Sequence, residues 1–421
     1  MITLIEALNY RCLRYVSQPL APFDVLVGPN ASGKTTFLDV IAFLGTLVSE
    51  GLDAAVEERT VNFEDLVWNR LGNDFELAIQ AAIPDEKRLL LAENGYDTVR
   101  YEVSIRVNPA TGETEIHNEK VLLLKPAVLS AQPETLFPVL PPPPNTLMTT
   151  KTGKRFDNKL VITKVAGGND NFYSEIATEN GKKRAPSFRL GPRKSALGNL
   201  PADESKFPVA IWLKTLLKEG VQKFILNSLV IRKASPPGQV RGFKPDGSNI
   251  PWVVDRLKQK HPDYFQNWLA HLQTALPDIE DIRTVERPDD KHRYLLICYK
   301  GGLEVPSWMV SDGTLRLLAL TLPAYLPEFT GVYLIEEPEN GIHPRAVATA
   351  FESLSSVYNA QILMATHSPV ILSMVEAENV LCFAKSTEGA TVIVLGSKHP
   401  ALKDWRGETN LGVLFAGGVL G

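Results

Sequence analysis

The segment Gly28-Pro29-Asn30-Ala31-Ser32-Gly33-Lys34-Thr35-Thr36 has the residue types and the spacing to hold a chain of phosphates. Glycines at its first and sixth positions let the backbone curl until its N–H groups face anionic oxygens. A helix starting at Lys34 would add the positive end of its dipole. Lys34 would reach the β- and γ-phosphates of a nucleoside triphosphate, and the Thr35 hydroxyl would ligate Mg2+. Further along, Val332-Tyr333-Leu334-Ile335-Glu336-Glu337-Pro338 runs four apolar residues into two adjacent acids. The first acid, Glu336, suits a magnesium ion held through water. The second, Glu337, suits orienting or deprotonating an attacking water. In Met364-Ala365-Thr366-His367-Ser368-Pro369 a histidine follows another apolar run, where its ring can hydrogen-bond a γ-phosphate or that water. In Val310-Ser311-Asp312-Gly313-Thr314-Leu315-Arg316, Ser311 and Gly313 open a helix that continues through Leu317, Leu318 and Leu320. That is a second anion-binding helix start. One triphosphate does not need two such sites within one chain, but two chains facing head to tail would use both.

These groups need a scaffold that brings strand ends together. Asp24–Val27 reads as a short apolar strand before the glycine loop, and Phe37, Leu38, Ile41, Leu44, Leu47 and Val48 follow at helical spacing. Val332–Ile335 and Gln361–Met364 are continuous apolar runs, as strands buried on both faces should be. Between them Val347, Phe351, Leu354 and Val357 mark a helix. Acids and histidine therefore fall at the C-terminal ends of parallel strands, where α/β sheets place ligands. Phe75–Ile83 and Tyr101–Val107 read as further strands. The centre of the chain differs in character. Six of the twelve residues 133–144 are proline, ending in Pro141–Pro144, which predicts an extended, stiff spacer. Residues 151–194 are polar, with the turn signals Gly167-Gly168-Asn169-Asp170 and Asn180-Gly181, and read as exposed hairpins. Residues 208–219 return to helix, and Pro262 opens another with Phe265, Trp268, Leu269 and Leu272 on one face.

Hydrophobic residues make up 44% and charged residues 22%, which excludes a mostly disordered chain. The 44 Lys plus Arg against 48 Asp plus Glu give a formal charge of −4, so a histone-like polyanion binder is excluded. A local basic patch is not: 151–194 holds 11 Lys or Arg against 4 acids. There Lys182, Lys183, Arg184, Arg189, Arg193 and Lys194 stand among Phe172, Tyr173 and Phe188, which is either a nucleic-acid contact or a solvated hairpin. Cys12, Cys298 and Cys382 lie far apart and offer neither a disulfide framework nor a thiolate metal site, as suits a reducing cytosol. No apolar run is long enough to span a bilayer, and no signal peptide is read at the N-terminus. The expected location is cytoplasmic.

Taken together the motifs resemble a known group. Gly28–Thr36 resembles a Walker A, Ser311–Arg316 the S-D-G-x-x-R form of an ABC signature, Leu334–Pro344 a Walker B with D-loop, and Ala365–Pro369 a switch histidine. The set is similar to ABC-class ATPases of the SMC and OLD (overcoming-lysogenization-defect) type, the bacterial AAA family ATPases. Lys244–Asn249 and the ending Leu411–Phe415 are similar to that group too. The resemblance covers roughly 1–110 and 225–421. It implies an α/β fold: an ABC/SMC-type P-loop ATPase head with a mixed sheet, interrupted by an α+β insertion. The expected divisions are 1–125, 126–225 (insertion), 226–300 (helical lid) and 301–421.

The resemblance further implies an ATPase that binds ATP and Mg2+ and closes as a homodimer, each Ser311 helix engaging the other chain's nucleotide. It implies antiphage defence or DNA maintenance, with a separately encoded effector, and the expected effector is a nuclease. An ABC-transporter subunit and an idle nucleotide-gated scaffold are the alternatives. The signature and the long insertion speak against the first. Lys34, Glu337 and His367 speak against the second. Two departures stand out: Glu336-Glu337 replaces the usual Asp-Glu, and no Q-loop glutamine is placed, Gln80 being the candidate. No long coiled coil and no nuclease domain after His367 are expected. The insertion and the apolar tail Leu411–Gly421 are the expected partner surfaces.

Overall fold

Parallel strands put the chemistry at one edge of one sheet. In the computed structural model, residues 1–91, 95–126, 142–152, 156–176 and 186–399 are described. Most of the proline-rich stretch, Lys182, Lys183, Arg184 and the tail Leu411–Gly421 lie outside them.

The central six-stranded sheet runs in the order Val221–Phe224, Gly331–Glu336, Ala360–Ala365, Phe23–Val27, Val380–Lys385, Thr391–Leu395. All neighbours are parallel except the last pair. Pairing sets Glu336 opposite Ala365 and Ala365 opposite Leu26. The residues that leave the sheet side by side are therefore Glu337, Thr366 and, one step past Val27, Gly28.

Strict alternation along these strands separates two cores. Leu26, Val332, Leu334, Leu363 and Ala365 face one, shared with the buried side of helix Lys34–Ser49 and with the second sheet. Val25, Val27, Tyr333, Ile335, Ile362 and Met364 face the other. There they pack on helices Ile250–Lys260, Pro262–Ala275, Asp312–Thr321 and Pro344–Ser355. The strands are apolar on both faces because both faces are covered.

Among the described residues the second sheet is antiparallel and has eight strands, in the order Leu13–Pro19, Ile2–Tyr10, Asp74–Ala82, Thr98–Val107, Thr114–Leu124, Asn158–Val165, Asp170–Phe172, Ser187–Phe188. Its last three strands come from the region expected as an insertion, and they extend this sheet by pairing onto Thr114–Leu124. A third sheet, Ile279–Glu286, Arg293–Tyr299 and Glu304–Pro306, lies in and just past the region expected to be helical. Its first strand carries a register shift between Ile279 and Asp281. The bulge spaces the buried Ile279 and Ile282 three apart and hides the period of two from the sequence.

The helix expected over 208–219 is α-helical only through Thr215 and continues as a π turn, Leu216–Gly220. Its start is held by a buried acid. Glu175 accepts from the N–H groups of Val209 (2.7 Å) and Ala210 (2.8 Å), satisfying two donors that the first turn leaves over. Burial pushes the Glu175 carboxyl up to about 7 against those two bonds.

Candidate functional site

The glycine loop takes its shape from backbone that other residues resist. Gly28 has φ +149°, Ala31 +60° and Gly33 +104°. A Cβ on Gly28 would meet the Phe383 carbonyl oxygen at 2.2 Å, and one on Gly33 would meet Thr391 Oγ1 at 2.2 Å. The loop is buckled from behind: Thr391 Oγ1 donates to the Ser32 carbonyl (2.9 Å), and Thr391 N–H donates to the Cys12 carbonyl (3.0 Å). Gly33 then caps helix Lys34–Ser49, so the free N–H groups of the first turn point into the loop.

Above this loop lies a cavity of about 630 Å3. Asn30 through Thr36 line it, together with Glu336, Glu337 and His367. Gly28 and Pro29 contribute carbonyls instead, accepting from Lys34 Nζ at 2.7 and 3.0 Å. Burial lowers the Lys34 pKa, and Glu337 and Glu336 oppose that shift. The Ser32 hydroxyl is buried and has no hydrogen-bond partner among the described residues. An anion seated on the loop would give it one.

Thr35 Oγ1 donates to Glu336 Oε2 at 2.7 Å, joining the glycine loop to the acidic strand end. A hydroxyl beside a carboxylate is a hard-oxygen pair that suits Mg2+, which keeps several waters and takes one or two protein oxygens. Glu336 Oε1 lies 2.7 Å from Lys223 Nζ. No spacing in the sequence marks Lys223; it arrives because its edge strand pairs with the acidic strand, with Lys223 opposite Leu334. Gln80 is not comparable. It sits within strand Asp74–Ala82, opposite Leu4 and Arg100 in the antiparallel sheet, and is not among the residues lining the cavity.

Glu337 leaves its strand with φ +48°, a left-handed turn for a residue with a side chain. Three bonds hold it: its N–H donates to Ala365 O (2.8 Å), Asn340 N–H donates to its carbonyl (3.0 Å), and Asn340 Nδ2 donates to its carboxylate. The carboxylate is exposed to the cavity. Glu339 ties the two strand ends together, accepting from Thr366 Oγ1 (2.8 Å) and from His367 N–H (2.9 Å). Burial lowers the His367 pKa, with the Lys34 charge acting the same way and Glu337 and Glu339 opposing, which favours the neutral ring.

Ser311 and Gly313 lie elsewhere. Ser311 caps helix Asp312–Thr321, accepting from Thr314 N–H at 3.2 Å, and is exposed. The helix rests on the loop after Glu337: Arg316 donates to the Asn340 carbonyl (2.6 Å), and a Cβ on Gly313 would come within 3.0 Å of Gly341 O. Neither residue lines the cavity of its own chain. In the basic segment, Arg189 and Lys194 are exposed, but Arg193 is engaged by Asp53 and Glu113, each at 3.4 Å. Phe172 is buried and stacks on Phe188, so it is not offered to a base.

A protein-family model described as "AAA domain, putative AbiEii toxin, Type IV TA system" matches residues 25–373. Among curated proteins, the OLD nuclease of Thermus scotoductus is 44% identical over 41 residues, which is 10% of this chain. The match spans only 8% of that relative's length. Among solved structures, an SMC head bound to the C-winged helix domain of ScpA covers 93% of this chain and 97% of its own, at 14% identity and a TM-score of 0.53. The Thermotoga maritima SMC head domain is 10% identical over 94% of this chain and 98% of its own, with a TM-score of 0.42. The fold is that of an SMC-head, ABC-type ATPase. Among the described residues no helix is long and apolar enough to cross a membrane.

Proposed function

The chain belongs to this family of AAA-domain proteins, and on that premise we propose that it is a Mg2+-dependent ATPase that closes as a homodimer around ATP and thereby controls a separately encoded effector. The observation that carries the reading is the convergence on one cavity of the glycine loop, the Thr35–Glu336 pair, Glu337 and His367. The loop's N–H groups and Lys34 bind and orient the triphosphate. Thr35 and Glu336 are the residues that would hold Mg2+, which when bound offsets phosphate charge. Glu337, fixed by Asn340, orients the attacking water and takes its proton. Neutral His367 hydrogen-bonds the γ-phosphate or that water.

Dimer closure is supported by the Ser311 helix start, which is exposed and does not line its own chain's cavity. In this reading it completes the nucleotide site of another chain. The likeness to an OLD nuclease and to an SMC head bound to ScpA supports a role in antiphage defence or DNA maintenance through a partner protein. A nuclease is the effector this reading favours.

The test is phosphate release with and without Mg2+, together with light scattering of the nucleotide-bound protein. Glu337→Gln should bind ATP, turn it over at least a hundredfold more slowly, and accumulate as a dimer. Ser311→Arg should bind ATP and stay monomeric. Metal-independent turnover, or a Ser311→Arg dimer, defeats the reading.

A further inference from the structure

A second cavity, of about 520 Å3, lies at the other end of the central sheet, where Gly331, Val332 and Tyr333 begin the strand that ends in Glu336. Its floor is a place where two backbones cross with nothing between them. A Cβ on Gly331, whose φ is +111°, would meet the Gly220 carbonyl oxygen at 2.3 Å. Gly220 closes the π turn Leu216–Gly220, a conformation rare enough in helices that its occurrence in a cavity wall calls for a reason.

Aromatic rings line the walls. The Phe329 and Tyr333 rings stack 3.8 Å apart at 13°, and Trp212 and Phe243 line the same space. A cavity of this size, mostly apolar with a few convergent polar groups, is the usual form of a small-molecule site.

Charged groups stand at the mouth and one unpaired amide oxygen in the wall. Arg241, Arg256 and Lys260 stand at the rim with Glu219 and Glu328. None of the three cations makes a hydrogen bond or salt bridge among the described residues, although Arg256 is half-buried and has five N–H donors. Burial lowers the Arg256 pKa; Glu328 acts on it across the space, and Arg241 repels it. In the wall, Gln222 Oε1 is buried with no partner, while its amide nitrogen reaches Glu219 O at 3.4 Å. Buried polar groups are normally paired, so Gln222 Oε1 asks for a donor, while Arg241 and Lys260, which are exposed, and the half-buried Arg256 offer positive charge at the mouth.

We propose that this cavity binds a planar aromatic anion that carries an N–H donor. The ring lies along the aromatic wall, the anionic group meets Arg256 and Arg241, and the donor meets Gln222 Oε1. The site is separate from the nucleotide cavity and does not depend on the chain being an ATPase.

A suitable probe is 1-anilinonaphthalene-8-sulfonate, which combines a naphthalene plane, a sulfonate and an N–H. It is titrated by fluorescence and calorimetry into the full chain saturated with a non-hydrolysable ATP analogue. One probe should bind per chain, undisturbed by nucleotide. Arg256→Gln and Arg241→Gln should each weaken it about tenfold, the loss expected for one charge-assisted hydrogen bond. Arg256→Lys should retain most of the affinity. N-phenyl-1-naphthylamine, which lacks the sulfonate, should bind the parent protein more weakly and lose nothing further on Arg256→Gln. Thermal melts verify that each variant is folded, and Arg241→Gln, at an exposed position, serves should Arg256→Gln fail to fold. Displacement by nucleotide, several equivalent sites, or affinity indifferent to both arginines overturns the proposal.

Discussion

Asn340→Ala isolates the contribution of holding Glu337 still. The Asn340 amide donates to the Glu337 carboxylate, and both side chains are exposed. A hydrogen bond to a charged group contributes about 1.5–3 kcal/mol when shielded, and exposure reduces that to about 1 kcal/mol. The backbone bonds at Ala365 and at the Glu337 carbonyl remain, so the left-handed turn at Glu337 persists and the carboxylate is freed without being moved away. At about 1.4 kcal/mol per tenfold in rate, kcat should fall about fivefold. ATP affinity should not change, because Asn340 is not among the residues lining the nucleotide cavity. Asn340→Asp should be slower still, since it sets a second negative charge against the first. Steady-state phosphate release gives kcat, and titration with a fluorescent ATP analogue gives Kd. An Asn340→Ala protein with unaltered kcat removes Asn340 from any role in positioning the base. A loss of nucleotide affinity with kcat intact places it in binding instead.

Glu175 should make stability depend on pH. Its folded carboxyl titrates at about 7 against 4.5 unfolded, so its contribution is full below pH 4.5 and is lost as pH rises through 7. That loss is up to about 3 kcal/mol, and Glu175→Gln should flatten the urea midpoint between pH 5 and 8 by a corresponding amount relative to the parent; parallel profiles would refute it. Gly28→Ala drives a methyl to 2.2 Å from the Phe383 carbonyl at φ +149° and should cost about 2–4 kcal/mol and abolish ATP binding, read by thermal melts with and without nucleotide. Thr391→Val keeps the shape but leaves the Ser32 carbonyl unpaired. It should cost about 1–2 kcal/mol and weaken ATP binding severalfold, and an unchanged Kd would mean the loop holds itself.

The motifs placed Glu336, Glu337, His367 and the glycine loop at strand ends, and parallel pairing brings those ends together. That much was legible because an apolar run followed by a polar group is a local pattern. Lys223, Asn340 and Glu339 were not legible. Each reaches the site through register or through a turn whose shape depends on packing, and none has a spacing of its own. Gln80, the Q-loop candidate, lies within the strand expected over Phe75–Ile83, and that strand belongs to another sheet. The hairpins expected between 151 and 194 do form strands, but they lengthen an existing sheet, because Val161, Ile162 and Phe172 have core to bury against. Long-range strand order is not encoded in any window of sequence.

The buckle at Thr391 has a consequence for how the protein is made. The bond from Thr391 to Ser32 joins residues 359 apart, and the bonds from Gln361 to Ile2 span the same separation. A ribosome adding about 5–20 residues per second needs roughly 20–70 s between synthesising the glycine loop and the residue that fastens it. Over that interval the nascent chain carries the phosphate-binding sequence without the clasp that shapes it. Nucleotide that binds the clasped loop adds to the stability of the finished head.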